Sequence, residues 1–172
     1  PYSKMNTGIP YTSRPKALQY DYKAVVGSEM IRATGFSATK HLKEKDYPCM
    51  FVLLQHRVED EKGNITAYRV GTAYKKFTEN VSEWIDGEQL EIFYGDASTL
   101  ETFGKGMELR NGDGAYYALN SKGEMVPVEE NAWGTADMIP THIIIWISSS
   151  SGPSYCGGVD NILWIDNLKL VE

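Results

Sequence analysis

Apolar side chains recur at alternate positions through much of this chain, and no long segment keeps a helical period. Alternation is the pattern of a half-buried strand, because successive side chains on a strand point to opposite faces. In ALQYDYKAV (17–25), Leu18, Tyr20, Tyr22 and Ala24 share one face, and Gln19, Asp21 and Lys23 the other. In EQLEIFY (88–94), Leu90, Ile92 and Tyr94 alternate with Gln89, Glu91 and Phe93. The run 141–147 is almost continuously apolar, as expected of a central strand covered on both faces. Trp146 in that run and Trp164 in the last apolar run are expected to be core. A short helix is expected around 78–84. DEKGN at 60–64 separates MFVLLQHRVE from ITAYRVGTAY and marks a hairpin, and NGDG (111–114) and SKG (121–123) mark further turns. About eight to ten strands at this spacing predict an all-β chain, a two-sheet antiparallel β-sandwich of jelly-roll type, filling 1–172 as one domain.

Composition narrows the partners. A length of 172 residues with 42% hydrophobic content supports one sizeable core. The net charge of -6 argues against nucleic acid, whose backbone is met by clustered Lys and Arg. No run of roughly 18 apolar residues is present to span a membrane as a helix. The opening PYSKMNTG has neither an initiator Met nor a signal-peptide core, so the chain is expected to be excised from a longer protein. Cys49 and Cys156 are too few for a disulfide framework, and whether they pair is left open. His41, His56 and His142 are not at metal-ligand spacing, and no nucleophile elbow, phosphate loop or calcium-binding EF-hand loop occurs.

What remains is a chain rich in rings, with eleven Tyr and four Trp. A turn centred on Lys62-Gly63 would set Arg57 opposite Tyr68, Gln55 opposite Val70 and His56 opposite Arg69. One face of that hairpin then gathers Val52, Leu54, His56, Val58, Ala67, Gly71 and Ala73, and reads as core. The other gathers Gln55, Arg57 and Glu59 with Tyr68, Thr72 and Tyr74. Rings beside fork-shaped donors and amides suit a sugar, whose C–H face stacks while its hydroxyls take hydrogen bonds. The same pattern also suits exposed cross-strand pairs that stabilise a sheet. Trp84 (in SEWIDG) and Trp133 (in NAWGTA) sit in polar surroundings. With Tyr68 and Tyr116 they are the candidate stacking platforms, and Gln55 and Arg57 are the polar partners. A glycosidase would need two converging carboxylates among acids such as Glu59, Asp60, Glu88, Glu91, Glu129 and Glu130.

Three segments together resemble a known family: GIPYTSRPKALQYDYK (8–23), LLQHRVEDEKGNITAYRVGTA (53–73) and SSSSGPSYCGGVDNILWIDNLKL (148–170). The most specific are Gly8, Pro10, Arg14 and Pro15 at the start and the closing serine cluster, glycine loop and LWIDNLKL. They are similar to the putative carbohydrate metabolism domain of secreted and surface proteins of gut anaerobic bacteria. The resemblance implies a jelly roll like that of carbohydrate-binding modules. It also implies a lipoprotein leader and an immunoglobulin-like domain upstream, and a place outside the cell, on the outer membrane or in the periplasm. By the same resemblance Asp166 in the last strand, assisted by Asp21 or Asp160, would hold a structural calcium ion; the alternative is that Asp166 accepts hydrogen bonds from nearby loop N–H groups. Three functions follow in order: a non-catalytic glycan-binding module, a structural or protein-interaction scaffold, and a glycoside hydrolase.

Overall fold

The computed structural model describes residues 5–172, and the chain is all-β. The main sheet has seven strands. In spatial order it runs β1 (Ile9–Pro10), β11 (His142–Ser148), β5 (Cys49–Glu59), β6 (Ile65–Lys76), β10 (Met125–Trp133) and β9 (Tyr116–Leu119), with β8 (Phe93–Tyr94) also pairing with β6. A smaller sheet of β13 (Ile162–Val171), β2 (Ala17–Val25) and β7 (Val81–Glu91) packs on one face of it. A third is made of β12 (Cys156–Gly158), β3 (Met30–Arg32) and β4 (Lys40–Leu42). The alternation in 17–25 works as expected: Leu18, Tyr20 and Ala24 are buried against Met50, Val52, Leu54 and Val70 of the main sheet.

The hairpin forms with a register one residue from the expected one near its turn. Asp60 closes a five-residue loop: its carboxylate accepts from the Lys62 and Asn64 N–H groups at 2.9 and 2.8 Å, and its own N–H donates to Asn64 at 3.0 Å. Gly63 takes a left-handed φ of 90° in that loop, a conformation glycine reaches without a Cβ clash. The first pair is therefore Glu59 with Ile65, so His56 faces Tyr68, and Gln55 faces Arg69. A bulge between Leu54 and Gln55 absorbs one extra residue of β6, after which Leu54 faces Gly71 and Phe51 faces Tyr74. Arg69 thereby lands beside Gln55 instead of on the core face.

Four further expectations are corrected. The sheets are not wholly antiparallel, because β10 runs parallel to β6. After β6 the chain leaves for the small sheet as β7 and returns through the β9–β10 hairpin, so β10 starts at the same end as β6. The segment 78–84 enters β7 instead of forming a helix; two register shifts against β2 disguise its strand period. Along β11, Ile145 and Ile147 are 40% and 39% exposed, because β1 covers only Ile143 and His142. Trp164 is not core either. It lies on the outer face of the small sheet beside Lys23, whose Nζ is 5.1 Å from its ring.

The parallel ladder carries a buried ion pair. Arg69 and Glu130 are fully buried; Nε of Arg69 donates to Glu130 Oε1 at 2.7 Å, and its Nη2 donates to Oε2. Gln55 Nε2 donates to the same carboxylate at 2.6 Å, and the Arg110 N–H does so at 2.8 Å. Removing one member strands a charge in a dry interior, which costs about 3–5 kcal/mol. Glu130→Ala and Arg69→Met should each lower unfolding free energy by that order in urea titrations. The combined Arg69→Met/Glu130→Leu variant should recover part of the loss.

Candidate functional site

The face of the main sheet turned away from the small sheet holds a second cluster of buried residues, including Phe51, Leu53, Ile65, Tyr116, Val128 and Ile144. One end of this face stays open as a cleft of about 910 Å³. Its floor is a row of rings placed by strand register: Tyr74 on β6 faces Phe51 on β5, which faces Trp146 on β11. Phe51 and Trp146 are stacked, with centroids 6.0 Å apart and planes 6° from parallel. Burial pushes the Tyr74 phenol up to about 12, so it stays a neutral hydroxyl at physiological pH.

One wall is the serine- and glycine-rich loop between β11 and β12. Its organiser is Asp46, on the loop before β5 and 3% exposed. The Asp46 carboxylate accepts from the Ser151 N–H at 2.9 Å, the Ser151 hydroxyl at 3.2 Å and the Gly158 N–H at 2.9 Å. Burial alone would raise this carboxyl, but hydrogen bonds from Ser150, Ser151, Gly158 and Tyr47 outweigh it and hold it below its ordinary value. The serines satisfy the loop's own backbone: the Ser150 N–H donates to Ser148 Oγ and the Gly152 N–H to Ser150 Oγ. At the rim Tyr155 is 65% exposed and takes a left-handed φ of 65°, unusual for a ring-bearing residue. Its carbonyl is pinned by the Ala33 N–H at 2.9 Å. Cys49 and Cys156 are free thiols lining the same cleft.

The opposite wall is the segment 105–114. Arg69 donates to the carbonyls of Met107 and Glu108 at 3.4 and 3.3 Å, and Glu130 exchanges two bonds with the Arg110 backbone. Gly106, at φ 102°, lies against Tyr74 so closely that a Cβ would come within 2.8 Å of the ring. The wall and the aromatic floor therefore touch without intervening side chain. Arg110 extends its guanidinium 5.2 Å above the Tyr116 ring.

The residues singled out from sequence separate into three places. Gln55 is fully buried and Arg57 half-buried: Arg57 Nε donates to Gln55 Oε1 at 2.8 Å and its Nη2 to the Thr7 carbonyl at 2.8 Å. Burial lowers the Arg57 pKa to about 10. Trp133 covers the same polar cluster, 5.7 Å from the Arg69 guanidinium and edge-on to Phe103. Of the named platforms, Tyr116 alone lines the cleft, and it is buried. Tyr68 is on the other face of the sheet at 42% exposure, and Trp84 is on the outer face of the small sheet at 43%, with Lys23 between it and Trp164. Phe51, Tyr74, Trp146, Tyr155 and Arg110 line the cleft; of these the sequence pattern groups only Tyr74 with a polar, ring-bearing face.

Asp21 and Asp166 do meet, directly opposed across β2 and β13. Asp21 accepts from the Asn167 side-chain amide and from the Gly87 N–H, which together lower its pKa, while Asp166 accepts from the Asn167 N–H at 2.7 Å. The two carboxylates lie on an exposed sheet face, and no group of three or more His, Cys, Asp or Glu side chains placed to hold a metal occurs among the described residues. Asp160 lies in the turn before β13 with a φ of 63°. Most of the acids considered as catalysts are engaged elsewhere: Glu59 with Ser121, Asp60 in the hairpin turn, Glu88 with Lys75, Glu129 with the Gly112 N–H and Glu130 with Arg69.

No protein-family model matches the chain, and no curated protein does. Among solved structures it is similar to a chain described as a putative glycoside hydrolase from Bacteroides vulgatus ATCC 8482, with a TM-score of 0.55 and 18% identity. The match covers 99% of this chain and 57% of that one. At this identity the likeness is one of fold. No helix in the described residues is long and apolar enough to cross a membrane.

Asp46 should make the loop wall sensitive to acid. A carboxyl whose folded pKa is depressed stabilises the fold fully above its unfolded pKa, about 4, and loses that contribution as pH falls through the folded value. The stability gap between the wild-type chain and Asp46→Asn should be about 1–3 kcal/mol at pH 7 and shrink below about pH 4. Urea unfolding across that pH range checks it.

Proposed function

We propose that this domain binds glycan in the cleft above Tyr74, Phe51 and Trp146, without cleaving it. The observation that carries the reading is the three-ring floor under a roomy cleft whose rim is polar. A pyranose C–H face stacks on such a floor, while Ser148, Asn111 and the loop backbone offer donors and acceptors to its hydroxyls. Volumes of roughly 300–1,000 Å³ are usual for small-molecule sites. We read the packed sheets as a jelly-roll sandwich of the carbohydrate-binding-module kind. The Bacteroides vulgatus neighbour, described as a putative glycoside hydrolase, lends the carbohydrate class its support by analogy of fold. In this reading the domain works outside the cell, where polysaccharide is met, beside other domains of a longer chain.

Binding rather than hydrolysis is favoured by how the cleft carboxylates are used. Asp46 is committed to the serine loop, and Glu108 accepts from the Gly106 N–H at 2.7 Å. Cleavage would fall to Glu44 and Asp113, both on exposed loops.

Trp146→Ala should weaken oligosaccharide binding at least tenfold, about 1.4 kcal/mol, in titrations followed by calorimetry, while Trp84→Ala on the opposite side should leave it unchanged. Tyr155→Gly should also weaken binding while altering stability by less than about 1 kcal/mol, because glycine accepts the left-handed backbone. Equal losses in Trp84→Ala and none in Trp146→Ala would move the site to the small sheet. Reducing ends appearing during incubation would replace binding with hydrolysis.

A further inference from the structure

Charge in the cleft is unevenly committed. Its carboxylates are Glu44, Asp46, Glu108 and Asp113, and its cations Lys45, Lys76, Lys105 and Arg110. Asp46 and Glu108 accept hydrogen bonds from backbone N–H groups of the walls, which hold these carboxylates against the loops they shape. None of the four cations forms an ion pair among the described residues, where the ion pairs are His41–Glu29, Arg69–Glu130 and Lys75–Glu88. The cleft thus sets four cations, none of them ion-paired among the described residues, beside four carboxylates, two of which are held against the walls, in a chain whose net charge is -6.

Arg110 is the best placed of the four. It is half-buried, and its N–H and C=O are both bonded to Glu130, one to the carboxylate and one to the backbone. Its guanidinium is stacked on Tyr116, so little rotamer freedom remains to be lost on binding. A planar fork fixed in this way matches a carboxylate with two parallel N–H···O bonds. Lys76 and Lys105, on the floor's edge and on the same wall, add long-range attraction.

We propose that the saccharide taken by this cleft is acidic, a uronate-containing oligosaccharide whose carboxylate is received by Arg110 while its ring lies on the aromatic floor. This rests on the glycan-binding reading of the same cleft and specifies its substrate class. Neutral sugars keep the stacking but lose the fork.

The test pairs each acidic ligand with its own neutral form. Oligogalacturonate, oligoglucuronate and oligomannuronate are titrated into the protein by calorimetry, each beside the same oligomer with its carboxyls reduced to alcohols. At least one acid should bind tenfold or more tighter than its reduced form. That preference, read as the ratio of acid to reduced-form affinity on the same variant, should weaken with added salt and vanish in Arg110→Gln. Unfolding curves confirm that Arg110→Gln stays folded, and Arg110→Lys, which keeps charge without the fork, should recover only part of the preference. Acid and reduced forms binding alike in all three pairs would overturn the acidic specificity and leave glycan binding standing. An acid preference unchanged in Arg110→Gln would overturn the role of Arg110. No binding of any oligomer, acidic or neutral, together with no effect of Trp146→Ala on a wider neutral panel, would overturn both readings.

Discussion

A bidentate pair between Arg69 and Glu130, closed off from water where β6 and β10 run parallel, governs the shape of the candidate site. Such a pair is costly to desolvate and persists only when every remaining lone pair and proton is met. Here they are met by Gln55, Thr72, the Met107 and Glu108 carbonyls and the Arg110 N–H. Three of those partners are backbone groups of one loop. The buried charge therefore fixes a surface segment, and that segment is a wall of the cleft. The hydrogen bonds that make the pair tolerable are the same ones that orient Arg110.

The other wall repeats the logic with Asp46. A nearly buried carboxylate gathers N–H and O–H groups from a loop of small residues that has no apolar reason to hold one shape. Serines then bond their own backbone, and the loop can present Tyr155 in a backbone conformation that aromatic residues seldom adopt. Two of the four carboxylates that line the cleft, Asp46 and Glu108, are thus spent on architecture. Rings and cations are left facing the space between the walls.

Much of the strand layout was legible. Period-two alternation located β2 and both arms of the β5–β6 hairpin, because burial on one face imposes that period directly. The hairpin turn was also enough to put Tyr74 on a face of rings and polar groups, though not to single out Phe51 opposite it. What escaped was set by tertiary events. The five-residue loop closed by Asp60 shifts the pairing by one, and the bulge at Leu54 and Gln55 restores it, so Gln55 and Arg57 became part of a buried network. The β6–β10 ladder joins segments more than fifty residues apart by a parallel pairing, which carries no local turn signal. Trp146 and Trp164 sit in apolar runs that look interior, yet one strand lacks a neighbour along most of its edge and the other faces solvent beside Lys23. Arg110 and Tyr155 lie in irregular loops where no period exists to read.

The central claim is that ligand is taken between these two walls, on the ring floor. The four tryptophans sample three different surroundings, Trp84 and Trp164 sharing the outer face of the small sheet, so a ¹H–¹⁵N spectrum of their indole N–H groups during titration with an oligosaccharide discriminates directly. The account predicts that the Trp146 resonance moves most, with Trp84 and Trp164 still. Shifts at Trp84 and Trp164 with Trp146 unmoved would contradict it.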